Sequence, residues 1–202
     1  LYTKTYPFFD PICKVDDFHE SLIDPETLLP VRYTQNISER SYRCHEVTVF
    51  DFQTLKAHYR HLLNGKEKTY DIRPGMRDMF SFMYFMRSVE LAENTNTQYQ
   101  VMSDEKVYDL FIKTFRVEPV GLPHYDRKIP SLELKPEAMF DGLYVRKGKA
   151  TVWVSRDSRR LLTLARLSTP FGRVTVTLHE VNGPGDDFWI TEKKNGDEEE
   201  KK

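Results

Sequence analysis

The chain has 202 residues and nearly balanced charge, with 30 Lys and Arg residues against 31 Asp and Glu residues, so its formal net charge is −1 at pH 7. A charge this small provides no electrostatic attraction to nucleic acid. No apolar run in the sequence is long enough for a membrane-spanning helix. With 39% hydrophobic and 13% aromatic residues, the composition is that of a folded protein with its own core. We therefore predict neither a nucleic-acid partner nor a transmembrane segment.

Alternation of apolar and polar residues predicts strands in the first half of the chain. Residues 1–9 read as the middle of a strand, so we expect that an N-terminal piece has been removed. Residues 42–52 are rich in β-branched and aromatic side chains, and residues 55–63 alternate. Asn64-Gly65 then predicts a two-residue hairpin turn, because both residues tolerate positive φ. A helix over residues 55–63 is the alternative, since their apolar side chains also share a helical face.

The most apolar run of the sequence is DMFSFMYFMRS, residues 78–88. The spacing of its methionines and phenylalanines predicts a short helix, and its apolar character on nearly every face predicts burial on most sides. We therefore expect a core helix that fills the concavity of a sheet. The alternative is that adaptable Met and Phe side chains line a cavity for an apolar ligand. The candidate lining residues are Met79, Phe82, Met83, Phe85 and Met86.

Two charges, Asp78 and Arg87, bracket this helix. A structural role is expected first, since the helix dipole favours a negative charge at the N-terminus and a positive charge at the C-terminus. The functional alternative is that both residues are polar anchors for the head group of a ligand.

Further strands are predicted in the second half of the chain, at residues 97–104, 107–120, 150–157, 161–168 and 173–181. Residues 121–136 read as a loop because they contain several prolines. The pattern predicts a mostly β fold, a curved antiparallel sheet or open barrel-like meander wrapped around one short apolar helix. We expect a single β-rich domain over residues 1–183 and a charged, disordered tail over residues 184–202.

Catalytic, metal and cofactor motifs are not evident in the sequence. There is no glycine-rich phosphate loop, no Gly-x-Ser-x-Gly elbow and no Cys-x-x-Cys or His-Glu-x-x-His spacing. Ser81 lies in the apolar helix and is expected to be a packing hydroxyl, and Ser21 is expected to bond with Asp24 in a turn before Pro25. The two cysteines, Cys13 and Cys44, permit one disulfide or two thiols. We predict no catalytic residues, no metal site and no cofactor.

Three separated segments together resemble the DUF3108 domain family of exported bacterial proteins. DDFHESLIDPETLLPVRY, residues 16–33, is similar to a strand, turn and strand start of that family. RDMFSFMYFMRS, residues 77–88, is similar to its helix, with matches at Asp78, Ser81, Tyr84 and Arg87. Residues 148–181 resemble its closing hairpin.

The resemblance covers about residues 6–181 and implies an antiparallel barrel-like fold wrapped on a helix, a periplasmic or otherwise exported location and no established activity. The family usually carries two further strands and a removed signal peptide before the point where this sequence starts. The shape implied is similar to that of envelope carriers that hold lipid in a half-open barrel.

The sequence thus supports three hypotheses. The first is a non-enzymatic cell-envelope protein that binds a lipid or another apolar or amphipathic ligand, or an envelope protein, in a curved β-sheet. The second is a scaffolding domain for protein interaction, whose sheet is filled by the helix and which binds no ligand. The third is a hydrolase with a site that the sequence does not reveal.

Overall fold

The computed structural model describes residues 1–5, 14–103, 105–123, 125–140, 143–144, 150–169 and 172–181. These residues form a mostly β structure with one short helix, α1, at Met79–Phe85. The described part of the chain contains no helix with the length and apolarity that a membrane crossing requires. The strands are β1 (Tyr2–Lys4), β2 (Asp16–Ile23), β3 (Pro30–Glu39), β4 (Tyr42–Asp51), β5 (Lys56–His61), β6 (Glu67–Asp71), β7 (Arg77–Asp78), β8 (Asn96–Ser103), β9 (Lys106–Val120), β10 (Ile129–Phe140), β11 (Leu143–Tyr144), β12 (Ala150–Ser155), β13 (Leu162–Thr169) and β14 (Gly172–Thr177).

Strands β1 to β6 form a six-stranded antiparallel meander in sequence order. Successive side chains on a strand point to opposite faces, so one face of β4 carries Cys44, Glu46, Thr48 and Phe50. Three of these four residues are buried and Glu46 is half-buried. This inner face changes from apolar at Phe50 to polar at Cys44.

The second sheet has the strand order β14-β13-β12-β10-β9-β8-β7, and β11 pairs with β10. Its pairings are antiparallel between β10, β12, β13 and β14, whereas β7 pairs with β8 in parallel. Among the described strands, neither sheet closes on itself. The fold class predicted from the sequence is therefore confirmed as mostly β with one short helix and open sheets.

The chain divides into two compact units. Unit 1 comprises the described residues of 1–89 and 99–109, and unit 2 comprises those of 90–98 and 110–181. Strands β8 and β9 contribute residues to both units. The core of unit 1 contains Phe50, Ala57, Ile72, Met76 and Met102. The core of unit 2 contains Val120, Leu122, Ile129, Trp153 and Leu164.

Most predicted strands are confirmed, including the segment at residues 55–63, where β5 and not a helix is found. The predicted loop at residues 121–136 is wrong, because β10 begins at Ile129 and buries Leu132 and Leu134. Its prolines signalled a loop, yet a strand tolerates a proline wherever the missing N–H is not needed for pairing. The strand predicted at residues 173–181 ends earlier, at Thr177.

The hairpin at Asn64-Gly65 is confirmed, but the two-residue turn is wrong. The His61 N–H donates to the Lys66 carbonyl at 2.8 Å, so the turn between these two paired residues has four residues, 62–65. Of the two residues Asn64 and Gly65, Gly65 alone has a positive φ, at 73°. The single-domain boundary at residue 183 stays a prediction, and the tail at residues 184–202 lies outside the described residues.

Candidate functional site

Helix α1 begins at Met79 because Asp78 caps it. The Asp78 carboxylate accepts hydrogen bonds from the backbone N–H groups of Phe80 (2.8 Å) and Ser81 (3.1 Å), two donors that have no partner inside the helix. Only one side of the helix is buried, although its sequence is apolar on nearly every face. Ser81 and Phe82 are buried, while Met83 is 49% exposed. The expectation that the helix is buried on most sides is therefore wrong.

Arg77 fixes the start of the helix against the loop before β3. Its Nε donates to the Leu28 carbonyl at 3.2 Å and its Nη1 donates to the Gly75 carbonyl at 2.6 Å. The guanidinium lies 3.7 Å from the centroid of the Phe85 ring, as in a cation–π contact. Burial lowers the pKa of Arg77 from its usual value. These contacts hold the start of α1 against the loop between β2 and β3.

A cleft of about 360 Å³ lies in unit 1 between β2 and α1. The cleft is open to solvent, and its size is near the lower end of the range of sites that hold small molecules. The helix contributes Phe80, Ser81 and Tyr84, and the other lining residues are Leu1, Phe18, His19, Glu20, Ser21 and Ile23. The cleft thus combines aromatic and aliphatic surface with hydroxyl and imidazole groups.

The hydroxyl side of the cleft is organised by Asp78. Its Oδ2 accepts hydrogen bonds from Ser21 Oγ at 2.7 Å and from Ser81 Oγ at 2.8 Å, and its Oδ1 accepts the two helix N–H groups. Asp78 is 1% exposed, so a buried carboxylate is balanced by four donors. The predicted bond between Ser21 and Asp24 is wrong. Asp24 instead accepts from the backbone of the following turn.

The cleft lining also includes His19 and Phe80, whose rings are in contact with centroids 5.2 Å apart. The His19 Nδ1 lies 2.8 Å from the Tyr33 hydroxyl. That hydroxyl donates its single hydrogen to Gln35 Oε1 at 3.0 Å. Nδ1 of His19 must therefore carry a hydrogen and donate it to the Tyr33 oxygen.

The hydrogen bonds continue away from the cleft across the sheet. Gln35 Nε2 donates to Glu46 Oε2, and the Tyr59 hydroxyl donates to Glu46 Oε1, both at 2.5 Å. We call His19, Tyr33, Gln35, Glu46 and Tyr59 the polar chain. Burial, followed by the hydrogen bond to Glu46, raises the pKa of Tyr59. The polar chain is half-buried or buried throughout.

The residues predicted to line a ligand site are placed on two other faces of α1. Met79 and Met83 are exposed and Met86 is half-buried. Phe82 and Phe85 contact Tyr99, with ring centroids 5.2 and 6.1 Å apart. None of these five is among the residues that line the described cleft. Their role as ligand contacts stays a prediction.

The two predicted anchors have different surroundings. Asp78 lies behind the hydroxyl side of the cleft and reaches it through Ser21 and Ser81. Arg87 is exposed just beyond the helix, and its guanidinium lies 5.4 Å from the centroid of Tyr84, which lines the cleft. Both anchor roles stay predictions. Each residue contacts a side chain that lines the cleft, Asp78 through the two serines and Arg87 through Tyr84.

Sequence reasoning missed His19, Ser21 and Phe80 as cleft residues. His19 and Ser21 alternate on β2 and so share a face, a signal that was available. Asp78, the hydrogen-bond partner of Ser21, is 57 residues further along the chain, and nothing local in the sequence connects these two positions.

Comparisons with known proteins agree with this fold. A family model described as "Protein of unknown function (DUF3108)" matches residues 1–179. A similar solved structure is the crystal structure of a β-barrel-like protein of a domain of unknown function, DUF1849, from Brucella abortus, at 10% identity and a TM-score of 0.58. The match covers 82% of this chain and 73% of that one and indicates a shared fold. No curated protein sequence matches the chain.

Proposed function

We propose that this chain, which belongs to the DUF3108 family of proteins of unknown function, binds a small amphipathic molecule in the cleft beside α1. One observation carries the proposal: the cleft is lined by aromatic rings and by two hydroxyls whose orientation is fixed by a buried carboxylate. A site that is mostly apolar, with a few oriented polar groups, is typical of small-molecule binding.

The apolar part of the ligand would lie against Phe80, Tyr84 and Ile23. Tyr84 is 48% exposed, so covering its ring with an apolar group removes accessible surface from water. At about 25 cal/mol per Å² of apolar surface, a ligand that covers about 100 Å² of protein and ligand gains roughly 2.5 kcal/mol from this term. Association itself costs about 4 kcal/mol or more, so a longer apolar tail and the hydrogen bonds of the head group must add to this gain.

The head group would meet Ser21 and Ser81. Both hydroxyl hydrogens point to Asp78, so what these side chains offer the cleft are oxygen lone pairs. A ligand group that donates a hydrogen bond, such as a hydroxyl or an amine, fits this arrangement. Asp78 is then a positioning residue that acts through the two serines.

The proposal is for a non-enzymatic protein located in the cell envelope. The location is supported by the family resemblance, and the binding role by the cleft. Fractionation of cells that produce the full-length protein tests the location: we expect it in the exported fraction, and recovery in the cytosolic fraction alone would contradict export.

Titration of the full-length protein with N-phenyl-1-naphthylamine tests the binding. This probe is fluorescent in apolar sites and carries one N–H donor. We expect saturable binding that Tyr84→Ala weakens about five-fold or more, equivalent to about 1 kcal/mol. Tyr42→Ala is the matched control, because Tyr42 is 59% exposed on β4 and does not line the cleft.

The N-methylated form of the same probe tests the head-group assignment. It lacks the donor, so wild-type protein should bind it several-fold more weakly, and Ser21→Ala should reduce that preference. Binding that is lost in Met83→Ala and kept in Tyr84→Ala would move the site to the methionine side of α1. Absence of saturable binding by wild-type protein would favour the scaffolding hypothesis.

A further inference from the structure

Three potential metal ligands come together on the inner face of the six-stranded sheet. One ligand atom from each of Cys44, Glu46 and His61 lies within 4.8 Å of the other two. We propose that these residues form a binding site for a divalent cation of borderline softness, with Zn²⁺ as the best match. The site does not rest on the function proposed for the cleft.

The position of the cluster follows from the register of the strands. Glu46 on β4 is directly opposite His61 on β5, and Cys44 is two residues before Glu46, so all three side chains are on one face. His61 ends β5, where its N–H and carbonyl hold the turn to β6. The backbone of His61 is therefore held in place by the pairing of β5 with β4 and by the hydrogen bonds of the turn.

The ligand types and the spacing fit zinc. Thiolate, imidazole and carboxylate are the three protein ligands of Zn²⁺, with metal–ligand distances of about 2.0–2.3 Å. In a tetrahedron of that size, pairs of ligand atoms are roughly 3.3–3.7 Å apart. The cluster is within about 1 Å of this spacing, a distance that side-chain torsions can close. Three protein ligands leave one position for water or another molecule.

The charge of the cluster matches a divalent cation. A thiolate and a carboxylate carry two negative charges, so the loaded site is neutral overall with a neutral imidazole. Cys44 is 2% exposed and the other two residues are half-buried. Neutrality matters at this depth because an unbalanced buried charge is costly. The thiol proton leaves to solvent when the cation binds.

Neighbouring side chains already orient one of the ligands. Tyr59 and Gln35 each donate a hydrogen bond to a different oxygen of Glu46, so each oxygen keeps a lone pair for a cation. Partners of this kind hold a ligand in place and contribute to metal affinity. The Leu63 N–H donates to His61 Nδ1 at 3.2 Å. Coordination through either ring nitrogen displaces this hydrogen bond, because a metal on Nε2 requires a hydrogen on Nδ1.

Titration of the metal-free, full-length protein with Co²⁺ tests the site, since a thiolate–Co²⁺ bond gives a near-ultraviolet absorption band. We expect one equivalent to produce the band, Zn²⁺ to abolish it, and the Leu63 amide resonance to shift on loading. Cys44→Ser should remove the band, and His61→Ala should weaken binding at least ten-fold. Tyr59→Phe, which removes an orienting hydrogen bond, should weaken it about ten-fold.

Two matched variants should leave the band unchanged. His58→Ala removes a histidine from the other face of β5, and Cys13→Ser removes a cysteine that lies outside the described residues. Circular dichroism confirms that each variant is folded, and His61→Ala keeps the test decisive if Cys44→Ser fails to fold. No band in wild-type protein, or a band that depends on Cys13 and not on Cys44, would overturn the proposal.

Discussion

The two units of the molecule differ in the polarity of their buried residues. The core of unit 2 is apolar at Val120, Leu122 and Trp153. Its buried hydroxyls bond locally, as Thr163 does to Ser131 at 2.9 Å and Ser155 does to Asp157 at 2.6 Å. Unit 1 also has an apolar core, yet its six-stranded sheet carries the polar chain and the thiol of Cys44.

This difference in polarity indicates which buried residues mainly stabilise the fold and which are candidates for function. A buried polar network is stabilising only when every group has a partner, and it adds less than apolar packing of the same volume. Unit 1 keeps such a network next to a cleft, whereas unit 2 shows the composition of an ordinary core. We infer that unit 2 mainly provides stability and that ligand chemistry is concentrated in unit 1.

The largest effect is expected from Trp153→Ala in unit 2. Trp153 is 5% exposed and packs in the apolar cluster, so its truncation should lower the free energy of unfolding by about 3–5 kcal/mol. Urea denaturation measures this loss. Probe binding under native conditions should be unchanged, and a parallel loss of binding affinity would contradict the separation of roles.

A smaller effect is expected from Tyr59→Phe in the polar chain. The variant keeps the buried ring and removes the hydrogen bond to Glu46, which leaves a carboxylate oxygen with one donor fewer. The free energy of unfolding should fall by about 2 kcal/mol. Tyr2→Phe, which removes a hydrogen bond from an exposed tyrosine to the Asp16 carboxylate, is the control and should change stability by less than about 0.5 kcal/mol.

The pH dependence of stability should report on Glu105, at the edge of unit 1. Burial raises the pKa of Glu105, but hydrogen bonds from Lys68, Lys66 and Tyr70 outweigh it and lower the pKa to about 2. Because the folded-state pKa is below the ordinary value, the stabilisation is present above about pH 4.5 and is lost as the pH falls towards 2.

Urea denaturation of wild-type protein and Glu105→Gln over this pH range measures the effect. The variant should be less stable by about 1–2 kcal/mol at pH 7, a figure reduced for partial solvent exposure. The difference between the two proteins should shrink towards zero near pH 2. A difference that stays constant with pH would contradict the assignment.

The smallest effect, with no cost in stability, is expected in the reactivity of Cys44. Burial, assisted by Glu46, raises the pKa of this free thiol to about 11. In a Cys13→Ser background, alkylation of the native, metal-free protein by iodoacetamide should be slow at pH 8 and accelerate about tenfold per pH unit up to pH 10. A rate that levels off near pH 8 would indicate an ordinary exposed thiol. The urea-unfolded protein serves as the reference.

The sequence predicts the strands of this fold well, because alternation with period two is a local property of residues such as those of β4 and β12. It fails at β10, where two prolines outweigh a buried apolar pattern, and at the exposed side of α1, where apolar residues face solvent. The polar row of His19, Gln35, Glu46 and His61 could not be found in this way. Each is directly opposite the next across β2, β3, β4 and β5, and register emerges only when the sheet forms.

Native mass spectrometry of the full-length protein, purified from the cells that produce it, tests the central claim that the cleft in unit 1 binds an amphipathic molecule. The account predicts a reproducible added mass that organic solvent extracts. The added mass should be strongly reduced in Tyr84→Ala and retained in Tyr42→Ala. A protein mass with no addition after incubation with envelope lipid extract, or an addition equally abundant in Tyr84→Ala, would contradict it.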